Sequence, residues 1–180
     1  MNNIYYFIRH AHSSYTPDEI NRPLSDKGQA SLAQLEFLTD KSIAAIYSSP
    51  YRRAIQTVEP LAQSLKLAIQ TDKRLIERKL SSQAIADQDF EQCLMQLWSQ
   101  PAFSLAGGES NQQAQQRALA LLHELESKHQ NEEIIISSHG NLICILLSAF
   151  DSRIDYDFWR SLSFPDVLVL DKNERITRLL

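Results

Sequence analysis

The sequence predicts an α/β fold, a three-layer α/β/α sandwich on a mostly parallel central sheet. Three observations predict it. Short β-rich runs alternate with segments whose apolar residues recur at helical spacing, as in strand–helix–strand units. One run, Ile134-Ile135-Ile136, is continuously β-branched, as in a strand covered by helices on both faces. A 180-residue chain that is 43% apolar and 22% charged also has the length for one core, which buries roughly 70% of the surface the unfolded chain exposes.

The elements follow in order. Ile4 to Ile8 is a β-rich run that stops abruptly at Arg9-His10-Ala11-His12. After Leu24-Ser25-Asp26-Lys27-Gly28, the spacing of Leu32, Leu35 and Leu38 predicts a helix, and Ile43 to Tyr47 a second strand. Ser48-Ser49-Pro50 reads as a helix start, with a hydroxyl cap and proline at the first helical position. Ala54, Val58, Leu61, Ala62 and Leu65 form its buried stripe, and Pro60 is expected to bend it. A third helix is expected from about Asp89, with Phe90, Cys93, Leu94, Leu97 and Trp98 on one face and Gln88, Gln92, Gln96 and Gln100 opposite. Gly107-Gly108-Glu109-Ser110 opens a long helix with the stripe Ala114, Ala118, Leu121, Leu122 and Leu125. The isoleucine strand ends in Ser137-Ser138-His139-Gly140, and Leu142 to Phe150 reads as the next helix. Val167 to Leu170 and Ile176 to Leu180, separated by Lys172-Asn173, predict a terminal hairpin. No linker or repeat divides the chain, so residues 1–180 read as one domain. The segment 79–106, with a helix and no clear strand, is expected to be a small cap insertion over one end of the sheet.

Composition narrows the function. A net charge of −4 argues against a dedicated nucleic-acid or anionic-membrane binder. The longest mainly apolar run, Leu142 to Phe150, is far short of the ~20 residues that cross a bilayer. The start, Met-Asn-Asn-Ile-Tyr-Tyr, lacks the basic region and cleavage site of a signal peptide. Cys93 and Cys144 both lie in apolar stretches and read as core thiols, a usage that fits the cytoplasm and offers no disulfide framework or CxxC site. Four glycines leave neither GxGxxG nor GxxxxGKS/T. An anionic ligand must then be held by side chains.

In open α/β sheets, ligands sit beyond the carboxyl ends of the strands. Those ends here carry Arg9-His10, then Ser48-Ser49 with Arg53, then His139. Two histidines and two arginines converging on one rim suit a phosphoryl group: arginine donates bidentately to phosphate oxygens, and neutral imidazole is a competent nucleophile. The helix that starts near Gly140 would point its positive end at the same place. Arg53 lies in the first turn of a helix, where a cation opposes the dipole. Arg52, by contrast, reads as a solvated surface charge. His10-x-His12 also begins some metal sites, but no further ligand motif accompanies it, so no metal is assigned. His123 and His129 are expected to be solvated.

These residues carry a family resemblance. Tyr6-Phe7-Ile8-Arg9-His10-Ala11-His12-Ser13 resembles the Arg-His-Gly-x-Thr signature of the histidine phosphatase superfamily, the phosphoglycerate mutase-like enzymes. Pro23-Leu24-Ser25-Asp26-Lys27-Gly28 resembles its Pro-Leu-Ser/Thr-x-x-Gly, and Ile46 to Thr57 its second-arginine segment. Leu75-Ile76-Glu77 is similar to the stretch holding its acidic residue, Gly107-Gly108-Glu109-Ser110 to its Gly-Glu-Ser turn, and Ser138-His139-Gly140 to its second histidine. The resemblance runs from residue 4 to about 147, and its specificity lies in the order of the motifs.

The resemblance implies a phosphatase that hydrolyses phosphomonoesters through phosphohistidine on His10. Arg9, Arg53 and His139 would stabilise the phosphoryl oxygens, and Glu77 would act as acid and then base. Ser13, Thr16 and Gly140 would touch substrate, and no cofactor is required. Ala11 stands where the family has glycine, Ser13 where it has threonine, and Thr16 where many members have asparagine. The roles of Arg78 and Glu109 stay open. So does the choice between a phosphorylated small molecule and a phosphohistidine protein as partner, as does the oligomeric state. A mutase is disfavoured because only 79–106 is available to shield the phosphoenzyme. A non-catalytic phospho-ligand-binding module is disfavoured because every catalytic residue is present.

Overall fold

The computed structural model describes residues 1–180, the side chain of Asp87 excepted. Its sheet has six strands: β1 (Ile4–Arg9), β2 (Ile43–Ser48), β3 (Ile69–Thr71), β4 (Glu133–Ser138), β5 (Asp166–Leu170) and β6 (Ile176–Arg178), in the order β3-β2-β4-β1-β5-β6. Strands β1 to β4 pair in parallel, β5 runs antiparallel to β1, and β6 closes the expected hairpin on β5. The register sets Tyr6 opposite Ile135 and Arg9 opposite Ser138, so β1 and β4 end level at the same rim.

Alternation along the strands divides the core in two. Tyr5, Phe7, Tyr47, Ile134 and Ile136 face the helices α4 (Asn111–Lys128) and α5 (Gly140–Leu147). Tyr6, Ile8, Ile46 and Ile135 face α2 (Arg52–Leu65) and Leu35 and Leu38 of a preceding 3₁₀ helix. This is the three-layer sandwich that the alternating pattern predicts.

Several elements differ in detail. Ser25 caps α1 (Asp26–Ala30) by accepting from Gly28 N, and the segment Ser31–Asp40 that follows is 3₁₀ rather than α. Leucines spaced by three fall on one face of a three-residue turn, so the same pattern serves the tighter helix. Helix α2 begins after Pro50, not at it: Tyr51 is its cap residue, and Ser49 Oγ accepts from Tyr51 N at 3.3 Å. In α3 (Asp87–Ser99), Leu94 and Leu97 are buried, but Phe90 is exposed and Cys93 only half-buried, because one amphipathic face meets a small contact area. A reciprocal capping box of Ser110 and Gln113 starts α4. Helix α5 is buried throughout and runs earlier than expected, from Gly140 to Leu147. Two short elements, β3 and α6 (Tyr156–Ser161), have no pattern long enough to read. His129 is not solvated: it lies between Tyr47 Oη (3.0 Å) and the Glu132 carboxylate, tying α4 to β2. Among the described residues, no helix is long and apolar enough to cross a membrane.

Candidate active site

His10 follows β1 directly and is held by backbone. Its N–H donates to Ser138 O at 3.0 Å, which docks it against β4. Its Nδ1 lies 2.7 Å from the carbonyl of Ala11. A carbonyl only accepts, so Nδ1 carries the proton and Nε2 keeps the lone pair. Burial, reinforced by the charges of Arg53, Arg9 and Arg22 and opposed by the Ala11 carbonyl, pushes the imidazole down to about 3. His10 is therefore neutral at pH 7 and nucleophilic at Nε2. Ala11 is fully buried and is not among the residues with positive φ, so the turn does not require the family's glycine.

Helix α2 sets the second arginine against that nitrogen. Arg53 Nε donates to His10 Nε2 at 3.2 Å, and Nη1 donates to Glu19 O at 2.7 Å. Thr57, one turn later, donates to Arg53 O (2.7 Å) and accepts from Ala11 N (3.0 Å), locking the helix to the turn that carries His10. Arg9 extends from the last residue of β1, donates to Leu162 O at 2.8 Å, and lies flat under Phe164 with 3.4 Å between guanidinium carbon and ring centroid. Burial lowers its pKa to about 10, so it remains a cation. His139 is fully buried beside His10, ring centroids 5.2 Å apart, with Nε2 2.9 Å from Ser49 Oγ. Burial first, then the competition of the adjacent His10 for a proton and the charge of Arg53, hold it neutral.

Glu77 reaches the same rim from the segment after β3. It accepts from Arg78 N (2.9 Å) and from the first amides of α5, Leu142 N (3.0 Å) and Asn141 N (3.4 Å). Burial raises its pKa despite these donors and the nearby arginines. A carboxyl poised to hold a proton in a cationic site has the character of an acid–base group. Gly140 acts through the space it leaves: a Cβ there would sit 2.7 Å from Arg9 Nε. The positive end of α5 therefore receives the Glu77 carboxylate, and Gly140 makes room for Arg9.

The remaining expected residues divide. Ser13 lies in an isolated bridge with Leu24, which pins the loop after β1. Thr16 is turned inward on its own loop, its hydroxyl donating to Asp18 O at 3.1 Å. Arg78 is buried, and the orientation of Asn141 that satisfies both groups turns its amide oxygen to Arg78 Nη2 at 2.7 Å. Glu109 pairs bidentately with Arg117 (2.6 and 2.8 Å) and serves the scaffold.

The strand-end placement of Ser49 agrees with its position 2.9 Å from His139 Nε2, but sequence reading missed Glu19, Arg22, Tyr51 and Phe164 as site neighbours. The Glu19 carboxylate bridges Arg53 Nη2 (3.1 Å) and Arg22, and Tyr51 lies under the Arg53 guanidinium. Arg22 left a signal in its place immediately before Pro23-Leu24, and Tyr51 in its place within the second-arginine segment. Among the described residues, the buried side-chain atoms without a hydrogen-bond partner belong to Arg9, Arg22, Arg78, His139 and Asn111. Three of these five are guanidinium N–H groups of arginines that flank His10 or Glu77, and the fourth nitrogen, His139 Nδ1, donates or accepts according to its tautomer. The site thus has more donors than acceptors. Among the described residues, no cluster of three or more His, Cys, Asp or Glu is arranged to hold a metal. A cavity of about 630 Å³ lies elsewhere, between α3, α4 and α5.

The chain is similar to known proteins over most of its length. Phosphoglycerate mutase-like protein 4 of Arabidopsis thaliana is 28% identical over 76% of this chain, which spans 66% of that relative, just under two thirds. Phosphoserine phosphatase 1 of Hydrogenobacter thermophilus is 27% identical over 84% of this chain and 78% of its own. The solved mycobacterial glucosyl-3-phosphoglycerate phosphatase in complex with VO3 superposes with a TM-score of 0.80, covering 98% of this chain and 97% of the other at 22% identity, a likeness of fold. The family model for histidine phosphatase branch 1 matches residues 5–170, nearly the whole sheet with the rim just described, and the chain belongs to the histidine phosphatase superfamily.

Proposed function

We propose that the protein is a metal-independent phosphatase that hydrolyses small phosphomonoesters through phosphohistidine on His10. One observation carries the reading: His10 is neutral, with its lone pair on Nε2, inside a shell of donors short of acceptors. A phosphoryl group supplies the missing acceptor oxygens.

In the first step, Nε2 attacks phosphorus and the P–O bond to the leaving group breaks. Arg53 shifts its Nε–H from Nε2 to an equatorial oxygen, and Arg9 and His139 stabilise the others. Glu77, protonated, gives its proton to the leaving oxygen. Water then enters, Glu77 takes its proton, the hydroxide attacks phosphorus, and the N–P bond breaks to release phosphate and restore His10. The cationic side chains supply the positive charge that a metal would otherwise bring. Ser13 and the loop to Thr16 border the substrate, residues 79–106 with α3 form a small cap, and the two free cysteines suit a cytoplasmic setting.

The experiment is trapping. Brief incubation with a labelled phosphodonor in the presence of chelator is expected to place acid-labile, base-stable phosphate on His10, with turnover within about twofold of the chelator-free rate. Label on serine, or full turnover in His10→Ala, would overturn the mechanism.

A further inference from the structure

We propose that Phe164 is a specificity-determining residue that selects phosphate esters whose leaving group carries an uncharged ring. The inference rests on the phosphatase reading and names the substrate class of that site. The Phe164 ring covers the Arg9 guanidinium at 3.4 Å and stands 5.6 Å from the ring centroid of the nucleophile His10 and 6.2 Å from that of His12. Yet it remains 40% exposed. The ring is thus anchored to a phosphate-binding cation while part of it stays open at the edge of the pocket that receives the ester. Large exposed apolar side chains are few, and two more border the site. Tyr15, 81% exposed, lies over Arg22, and Ile20, 57% exposed, adjoins the Glu19 that grips Arg53. Exposed apolar side chains gathered around a polar site, unlike ones scattered singly, mark a ligand-binding surface.

The charges point the same way. A leaving group bearing a carboxylate needs a cation beyond those that hold phosphate. Arg22 is paired with Glu19, Arg117 with Glu109, Arg74 with Asp72 and Glu124, and Arg178 with Asp166. Arg78 is buried against Asn141. Arg52 is exposed, but it is rotated about 100° around α2 from Arg53. Apart from Arg52 and the buried Arg22 Nε and Arg78 Nη1, these guanidiniums are engaged by carboxylates or by the fold, whereas the rings stand open, and an aromatic contact adds up to about tenfold in binding.

The test uses leaving groups of similar basicity, so that intrinsic reactivity does not decide the result. With 1-naphthylmethyl, ethyl and seryl phosphates, kcat/KM is expected to be at least about tenfold higher for the naphthylmethyl ester than for phosphoserine. Phe164→Ala is expected to cut the naphthylmethyl-to-ethyl ratio about tenfold, and Phe164→Trp to restore it. Phosphoserine as the better substrate, or an equal loss for both esters in Phe164→Ala, would overturn the proposal and leave Phe164 as a support for Arg9 alone. Phosphoramidate, whose leaving group has no ring, reports separately on the chemistry. Labelling of His10 by it without any ring preference overturns only the specificity, whereas failure to label overturns the phosphatase reading as well.

Discussion

Glu77 and Gly140 are the positions where the proposed chemistry meets single residues most directly. The Glu77 carboxyl is raised by burial and held by three amides, so Glu77→Gln keeps the size but removes the proton. An alkoxide needs that proton and an aryl oxide hardly does. The variant is expected to slow phosphorylation by an alkyl phosphate by roughly 10²–10⁴-fold and by p-nitrophenyl phosphate far less, read in pre-steady-state bursts. Dephosphorylation should slow equally for both. At Gly140 a methyl group would enter 2.7 Å from Arg9 Nε and 3.0 Å from its Cδ and Cζ. Gly140→Ala is expected to displace Arg9 and lower kcat by up to about 10²-fold, since a positioned donor is worth roughly 10²–10³ in rate. An unchanged circular dichroism spectrum would separate that loss from unfolding. At this scale Arg9, His10, Arg53 and His139 were legible because each stands at a strand end or helix start, and Glu77 only through the resemblance of Leu75-Ile76-Glu77 to a family motif. Glu19 and Phe164 were not, because each reaches the site from a loop with no periodicity.

At the scale of elements, the site depends on how α2 is latched to the end of β1. Thr57 makes both ends of that latch: it accepts from Ala11 N and donates to Arg53 O, fully buried. Thr57→Val preserves the shape and orphans the Ala11 N–H, a loss of about 1–3 kcal/mol. Urea unfolding is expected to show that loss with the m-value unchanged, and kcat to fall with it, whereas Thr57→Ser should retain most of both. The stripe from Ala54 to Leu65 predicts α2 correctly, but its start was placed too early. Pro50 suits a first helical turn, yet the chain turns once more so that Arg53 reaches His10. The segment Ser31–Asp40 is 3₁₀ although its pattern also fits an α-helix, because leucines three apart satisfy either helix over so short a run.

Across the whole molecule, burying the two histidines uncharged links stability to pH. The sign follows from His10: its folded pKa, about 3, lies below its ordinary value of 6.5, so acid protonates the unfolded chain first. Stability is then fully present above pH 6.5 and falls as pH drops toward 3, by about tenfold in the folding equilibrium per pH unit for each such group. His139 is lowered for the same leading reason, burial, and adds to the slope. Glu77, raised by burial, has the opposite sign, but it is one group against two. Urea midpoints are expected to fall between pH 7 and pH 5, and His10→Asn to flatten that dependence. A flat profile in the wild-type protein would mean that the histidines are already accessible to protons.

The layered fold was legible in the sequence because periodicity reports which face each element buries, and burial is a local property of pattern. Strand-end chemistry was legible for a related reason: a β-rich run that stops at Arg9-His10, and another that stops near His139, must release those residues at the rim of the same parallel sheet. Orientation, charge state and neighbours are properties of distance, which the chain order does not carry. Only the tertiary structure brings the Ala11 carbonyl to Nδ1 of His10, gives the first amides of α5 to Glu77, holds Arg78 away from solvent, and lays Phe164 across Arg9.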